Sequence, residues 1–385
     1  MTGTHCSSSL LARLRRQGVD GLREIGAHAI CRPRSGQGPL AVFMPAGPVS
    51  DGAVRLRIHA PARALREMGW HTTVLPWKLG VIGRQRIIAR LSPDILVIQG
   101  VRHPANRPHL YPGRHVLLDV DDADFHLPHL AAPMETALAS VAGVVAGSAY
   151  IARWAQERGV AAHVIWTGTI PSHRPPDAMP ARPPVVAWAQ TRPMTYLREA
   201  EMVRAAIAQV ADRHPGTTLR LYDRQAGDDP GFADSFRTPG LTVEWRATSG
   251  YARYLRSFDD VAVGLAPLAP ETPFSRGKSF GKVLAYLDRG AAVVASDAGE
   301  HGAIFDGRNG RLVRGPVEMA EATLDFLRNP VLQRRTAEAG RATLQSQLSV
   351  QASARRMVTV LDTTLARPIR PPECPVEYRS ATVTA

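Results

Sequence analysis

FSRGKSFGKVLAYLDRGAAVVASDAGEHGAIFDGRNGRLV, residues 274–313, switches between helical and extended patterns within a few turns of chain. GKVLAYLDRG (281–290) reads as a helix closed by Gly290, a residue that takes the left-handed C-cap without strain. AAVVASD (291–297) follows at once, an unbroken apolar run of the kind found in parallel strands buried on both faces. DGRNG (306–310) is turn chemistry, since Asn-Gly supports positive φ. Such an alternation predicts an α/β domain with a parallel sheet. RGKS (276–279) sets Arg276, Gly277 and Lys278 at the start of the helix, where free N–H groups and the helix dipole favour anions. A lone lysine in that place reads equally as a solvated surface residue.

The same alternation extends backwards. VVAWAQ (185–190), TLRLYD (218–223), LTVEWR (241–246) and VAVGLAPL (261–268) read as strands. Between them, YARYLRSF and YLREAEMVRAAIAQVADRH read as helices, the second burying Leu197, Val203, Ile207 and Val210. PSHRPPDAMPARPP (171–184) then interrupts, with six prolines that can join neither helix nor ladder, and marks a boundary. Before it a second series runs through the strands PLAVFMPA (39–46), HTTVLP (71–76), DILVIQ (94–99), HVLLDV (115–120), VVAGS (144–148) and AHVIWTG (162–168). Its helices are RIHAPARALREMGW, with Ile58, Ala62, Leu65 and Met68 at helical spacing, then RQRIIARL, METALASVAG (134–143) and AYIARWAQERG; GPVSDGAVR reads as a loop.

The expected organisation is an N-terminal extension (1–38), a first Rossmann-like domain (39–170), the proline-rich linker (171–184), a second Rossmann-like domain (185–366) and a tail (367–385). Two such parallel-sheet domains in tandem predict a ligand in the cleft between them, because open sheets bind at the carboxyl ends of their strands.

Composition narrows the function classes. The 385 residues are 44% apolar and 21% charged, which is a globular balance ample for two cores. Forty-seven Lys and Arg against 34 Asp and Glu give +13, a balance suited to phosphorylated small molecules, an anionic membrane face or nucleic acid. The charge is scattered arginine without interleaved aromatics, which argues against a nucleic-acid module. Cys6, Cys31 and Cys374 lie too far apart for a disulfide scaffold or a Cys-based zinc site, and fit a reducing compartment. The sequence is expected to carry neither a membrane-spanning helix nor a secretory signal, nor does it hold HExxH or HxH metal spacing.

Residues 274–313 resemble the C-terminal signature of the GT-B glycosyltransferases, especially the retaining nucleotide-sugar enzymes called group 1 or family 4. The matching segments are KVLAYLDRG, AVVASD and DGRNGRLV. PVEMAEATLDFLRNPVLQRRTAEAGR is similar to the family's C-terminal helices, and VRLRIHAPARALREMGWHTTVL and SVAGVVAGSAYIARWAQERG to first-domain runs. The resemblance implies a cytoplasmic glycosyltransferase, active at the inner face of the plasma membrane. It would transfer a sugar from a nucleotide-diphosphate donor to a glycan or lipid-linked acceptor, with retention, in bacterial surface-polysaccharide synthesis. No cofactor, metal or nucleic acid is implied.

By resemblance, Lys278 is the family's phosphate lysine and Arg276 assists; Arg192 reads either as its second cation or equally as a surface arginine. Lys282 lies one turn further along the helix and reads equally as a solvated side chain. Gly47 lies in the loop after the first strand, which contacts acceptor or donor diphosphate in the family. His126 follows a strand end and reads either as an acceptor-side base or as an ordinary loop residue. The family's two glutamates fall at Gly277 and Ala285, so neither is acidic here. Glu300 is the first candidate to replace the ribose-binding carboxylate. Losing both leaves a catalytically impaired sugar-nucleotide-binding protein as the alternative. DVDDADF (119–125) admits two readings: a metal-binding Asp-x-Asp, or carboxylates that cap a turn and line the acceptor side.

Overall fold

A computed structural model describes residues 26–27, 31, 38–172, 182–223, 230–247 and 250–366. Most of the expected N-terminal extension, the middle of the proline-rich linker and the tail 367–385 lie outside the described residues.

The first sheet is six-stranded and parallel, in the order β2-β1-β3-β4-β5-β6. Its strands are β1 (Leu40–Met44), β2 (His71–Val74), β3 (Ile95–Gln99), β4 (His115–Val120), β5 (Gly143–Ala146) and β6 (Ala162–Val164). The unbroken apolar runs have a simple cause. Leu40, Val42 and Met44 pack on one face with Leu96, Ile98 and Leu118, while Ala41 and Phe43 pack on the other with Ile95, Val97 and Leu117. Successive side chains alternate faces, and here each face has its own core.

The second sheet repeats the design. β7 (Val185–Ala189), β8 (Thr217–Asp223), β9 (Leu241–Ala247), β10 (Val263–Ala266), β11 (Ala292–Ser296) and β12 (Arg311–Val313) stand in the order β9-β8-β7-β10-β11-β12. That is the doubly-wound order, with its topological switch between β7 and β10. Val186, Trp188, Leu219 and Leu265 line one core and Val185, Ala187, Val293 and Ala295 the other. Gly290 ends the helix Val283–Arg289 at φ 74°, as expected.

Four expectations need correction. The loop expected at 47–55 already turns helical at Gly52, because Asp51 accepts from Ala53 N as an N-cap, and a π-turn at Arg55–His59 leads into the helix Ala60–Glu67. The helix expected at 134–143 runs instead from Pro128 to Leu138, with proline at its first position. Leu197 is 65% exposed, since it opens the helix Leu197–Arg213 before the buried stripe begins. Finally, the helix Val350–Leu365 does not belong to the second core. Val350, Ala354, Met357, Val360 and Leu361 join the first-domain core of Ala41 and Phe43 from the sheet and Ile58 and Leu65 from the π-turn and the helix Ala60–Glu67.

The chain therefore passes between the domains twice, and the two passages lie side by side. Thr169 N donates to Leu348 O and Val350 N to Thr169 O, both near 2.9 Å. Among the described residues no helix is long and apolar enough to cross a membrane.

Candidate active site

The loops after β7 and β10 meet at the switch point of the second sheet. Glu199, buried in the helix Leu197–Arg213, fixes the longer of them by accepting from Ser275 Oγ (2.7 Å) and Ala269 N (3.2 Å). The chain then makes a short helix, Pro273–Arg276, and Gly277, Lys278 and Ser279 follow its C-terminal end, so they do not stand at the start of the helix Val283–Arg289 as the sequence suggested. Lys278 lies over the rings of Phe274 (4.5 Å) and Tyr196 (5.5 Å). Lys282 reaches across to the loop after β7, where its Nζ donates to Thr191 Oγ1 at 2.7 Å.

The first domain meets these residues with the loop that follows β4. Asp119, fully buried, accepts twice from Arg57 Nε at 3.0 Å, and the π-turn at 55–59 is the element that carries Arg57. Asp121 accepts from Thr167 Oγ1 and, across the cleft, from Ser279 Oγ, each at 2.9 Å. Asp122 Oδ1 accepts from Lys278 Nζ at 2.8 Å, and its Oδ2 from Arg102 Nη2 at 2.9 Å. Arg102 also donates to Asp124. Ala123 fills the space beside Gly277 so closely that a Cβ there would stand 2.5 Å from Ala123 Cβ. Glycine at 277 is thus what lets these two loops meet.

Electrostatics follow the pairing. Burial pushes the Asp122 carboxyl up, but Lys278 and Arg102 outweigh it and hold it down at about 2. Burial likewise opposes the charge of Lys278, and Asp122 more than offsets it, so this ammonium stays protonated well above the ordinary lysine range. Lys282 differs. Burial, then the neighbouring Lys278 ammonium, press it down to about 8. The site therefore pairs one lysine across the cleft and leaves a second bound to a hydroxyl.

Of the residues singled out in the sequence, Gly277, Lys278 and Lys282 come together here. Arg192 is exposed on the Thr191 loop beside them. Arg276 is exposed and its Nε donates to Pro270 O, while its charge acts with burial to lower the pKa of His126. His126 is exposed at the rim, its Nε2 2.9 Å from the Tyr150 hydroxyl. Gly47 sits half-buried in the loop after β1, four residues before the Asp51 cap.

Two expectations change. Glu300 is not turned to a ligand: Oε1 accepts from Ala149 N and Oε2 from Trp166 Nε1, each at 2.7 Å, so it clamps the second domain to the first. Ala285 is 2% exposed within the second core, not at the wall of an open ribose site. Arg57, Arg102 and Thr167 have no motif of their own, and what betrays the loop they serve is DVDDADF after a strand. Its four carboxylates face Arg57, Arg102, Lys278, Ser279 and Thr167. Among the described residues no group of three or more His, Cys, Asp or Glu converges as a metal cage.

Two doubly-wound domains meeting at their strand ends define the GT-B class of fold, and the chain has that fold. No family model matches the sequence, and no curated protein sequence does. The likeness is to solved structures. Sucrose-phosphate synthase from Thermosynechococcus elongatus aligns with a TM-score of 0.63 at 13% identity, over 86% of this chain and 100% of that one. A glycosyltransferase from Rickettsia africae gives 0.60 at 14% identity, over 86% and 100%. Anabaena HepE in complex with UDP-glucose gives 0.60 at 14%, over 85% and 100%.

Proposed function

We propose that the chain is a glycosyltransferase that moves a sugar from a nucleotide-diphosphate donor to an acceptor held by the first domain. The observation that carries the reading is the pair of lysines, Lys278 and Lys282, at the switch point of the second sheet. Breaking the bond between the sugar's anomeric carbon and the phosphate oxygen leaves negative charge on the diphosphate. Preorganised cations in a site shielded from water stabilise that charge as it develops. Lys278 and Lys282 are the groups for this task, with Arg192 and Arg276 on the flanking loops. His126, whose pKa burial and the Arg276 charge lower, would serve on the acceptor side together with the Tyr150 hydroxyl it contacts. The fold neighbours solved with UDP-glucose and UDP agree with a nucleotide-sugar donor.

The finer reading is a glycan or lipid-linked acceptor in bacterial surface-polysaccharide synthesis, with retention, at the cytoplasmic face of a membrane. It rests on the sequence resemblance and on the +13 charge, which suits an anionic surface or a lipid-diphosphate acceptor. A second reading, donor binding without turnover, is favoured by Ala285, where the family's glutamate is replaced by a buried methyl group.

A thermal-shift screen with UDP, GDP, ADP and their sugars identifies the donor, because a ligand raises apparent stability by mass action. A charge-assisted hydrogen bond to phosphate contributes about 1.5–3 kcal/mol, or roughly ten- to a hundredfold. Lys278→Ala is therefore expected to lower donor affinity or kcat/KM at least about tenfold while the protein unfolds cooperatively. A change within about twofold takes Lys278 out of the site. Release of nucleoside diphosphate from the sugar donor separates an enzyme from a binder.

A further inference from the structure

We propose that Asp122 is the cleft's own counter-ion, a positioning residue that holds Lys278 until the donor binds and competes with the donor's diphosphate for it. The inference rests on the donor reading above and adds to it a residue from the other domain.

The two partners are unequally paired. Lys278 has one carboxylate, Asp122, reached across the domain boundary from a residue 156 positions away. Asp122 has two cations, because its other oxygen accepts from Arg102 within its own domain. When an anion takes Lys278, Asp122 keeps Arg102 and does not become a buried unpaired charge, which would be the costly outcome. Lys278, for its part, stays seated over Phe274 and Tyr196 whichever anion it holds. The carboxylate is the exchangeable member of the pair.

Access permits the exchange. The side chains of Lys278 and Asp122 are 21% and 27% exposed, so water and a small anion reach the contact without unfolding either domain. The contact is also shaped for release as a unit. Asp121 to Ser279, Ala123 against Gly277 and Asp122 to Lys278 are three consecutive residues of one loop meeting three consecutive residues of another. Withdrawing the loop after β4 by a few ångströms frees all three and bares Lys278 beside Lys282. After transfer, the same carboxylate returns to Lys278 and helps expel the nucleoside diphosphate.

Calorimetric titration of UDP, GDP and ADP into the full-length protein tests this. For whichever nucleotide binds, Asp122→Asn is expected to tighten binding about three- to tenfold, the strength of a partly exposed ion pair. Asp122→Glu, which keeps the charge, should return to within about twofold of the wild type. On a Lys278→Ala background the Asn substitution should bring no gain, because the competition has lost its object. A residue that only supports the loop would behave oppositely, with Asp122→Asn weakening binding. Asp122→Ser serves the same comparison if the Asn protein loses cooperative unfolding. Unchanged or weaker binding in the folded variants overturns the proposal and leaves the donor reading standing. If no nucleoside diphosphate binds the wild type or any variant, the donor reading itself is wrong, and the counter-ion falls with it.

Discussion

At the level of single residues, Lys282 has its pKa pressed to about 8 by burial and by Lys278. An anion bound beside it favours the ammonium and so raises that pKa. Below pH 8 the free protein already carries the charge, and binding needs no proton. Above pH 8 the ligand must draw a proton onto Lys282, and affinity falls by up to about tenfold per pH unit until the bound-state pKa is reached. Nucleoside-diphosphate affinity is therefore expected to drop between pH 8 and 9.5, and Lys282→Arg, charged throughout, should flatten the drop. A wild-type profile as flat as that of the arginine variant would place Lys282 away from the anion. The sequence carried Lys278 and Lys282 plainly as a cationic segment, RGKSFGK, just ahead of a helix, although only Lys282 adjoins the helix start at Val283. It did not carry their partners. Asp122, Arg102 and Thr191 come from three other loops, and a loop residue's partner is set by tertiary placement that no local period encodes. Ala285 was legible as a departure from the glutamate expected there, but whether the methyl group faced ligand or core depended on packing.

Among elements, the strands were the easiest to read because β1, β3, β7 and β11 are buried on both faces and so appear as mainly apolar runs. Helix starts were harder, as the Asp51 cap and the Pro128 start show. The destination of the helix Val350–Leu365 was hidden altogether. An amphipathic period says that one face is covered, not which domain covers it. Its packing on the first sheet makes a definite expectation. Leu361 is fully buried against that core, and Leu361→Ala should cost about 2–5 kcal/mol. Amide exchange should then accelerate in the helix Ala60–Glu67 and in β1 and β3, which share that core, before it does in β10 and β11. Faster exchange confined to β10 and β11 would return the helix to the second domain.

For the whole molecule, the question is what sets the relative position of two domains whose loops must meet within hydrogen-bonding distance. Glu300 clamps Ala149 and Trp166, and Asp121 and Asp122 meet Ser279 and Lys278, but all of these are side-chain contacts that can exchange. The backbone constraint lies where the two passages between domains run together. The prolines of 171–184 read in the sequence as a passage between domains; the second passage, at Leu348–Val350, has no such mark, because a helix break at Ser349 looks like any N-cap. Gly168 is the residue that lets the passages approach. A Cβ there would stand 2.5 Å from Ser349 O and 2.6 Å from Ser353 Oγ, and the first of these is backbone that cannot rotate away. Gly168→Ala must push the second passage aside, at a cost of about 1–3 kcal/mol. The displacement is levered across both domains, so the 2.8 Å contact of Lys278 with Asp122 should loosen although residue 168 touches neither. The expected result is a lower Tm together with a several-fold change in nucleoside-diphosphate affinity, measured on the same preparation. A lower Tm with unchanged affinity would mean that the domains are positioned by the Glu300 clamp and the cleft loops, and that the paired passages serve stability alone.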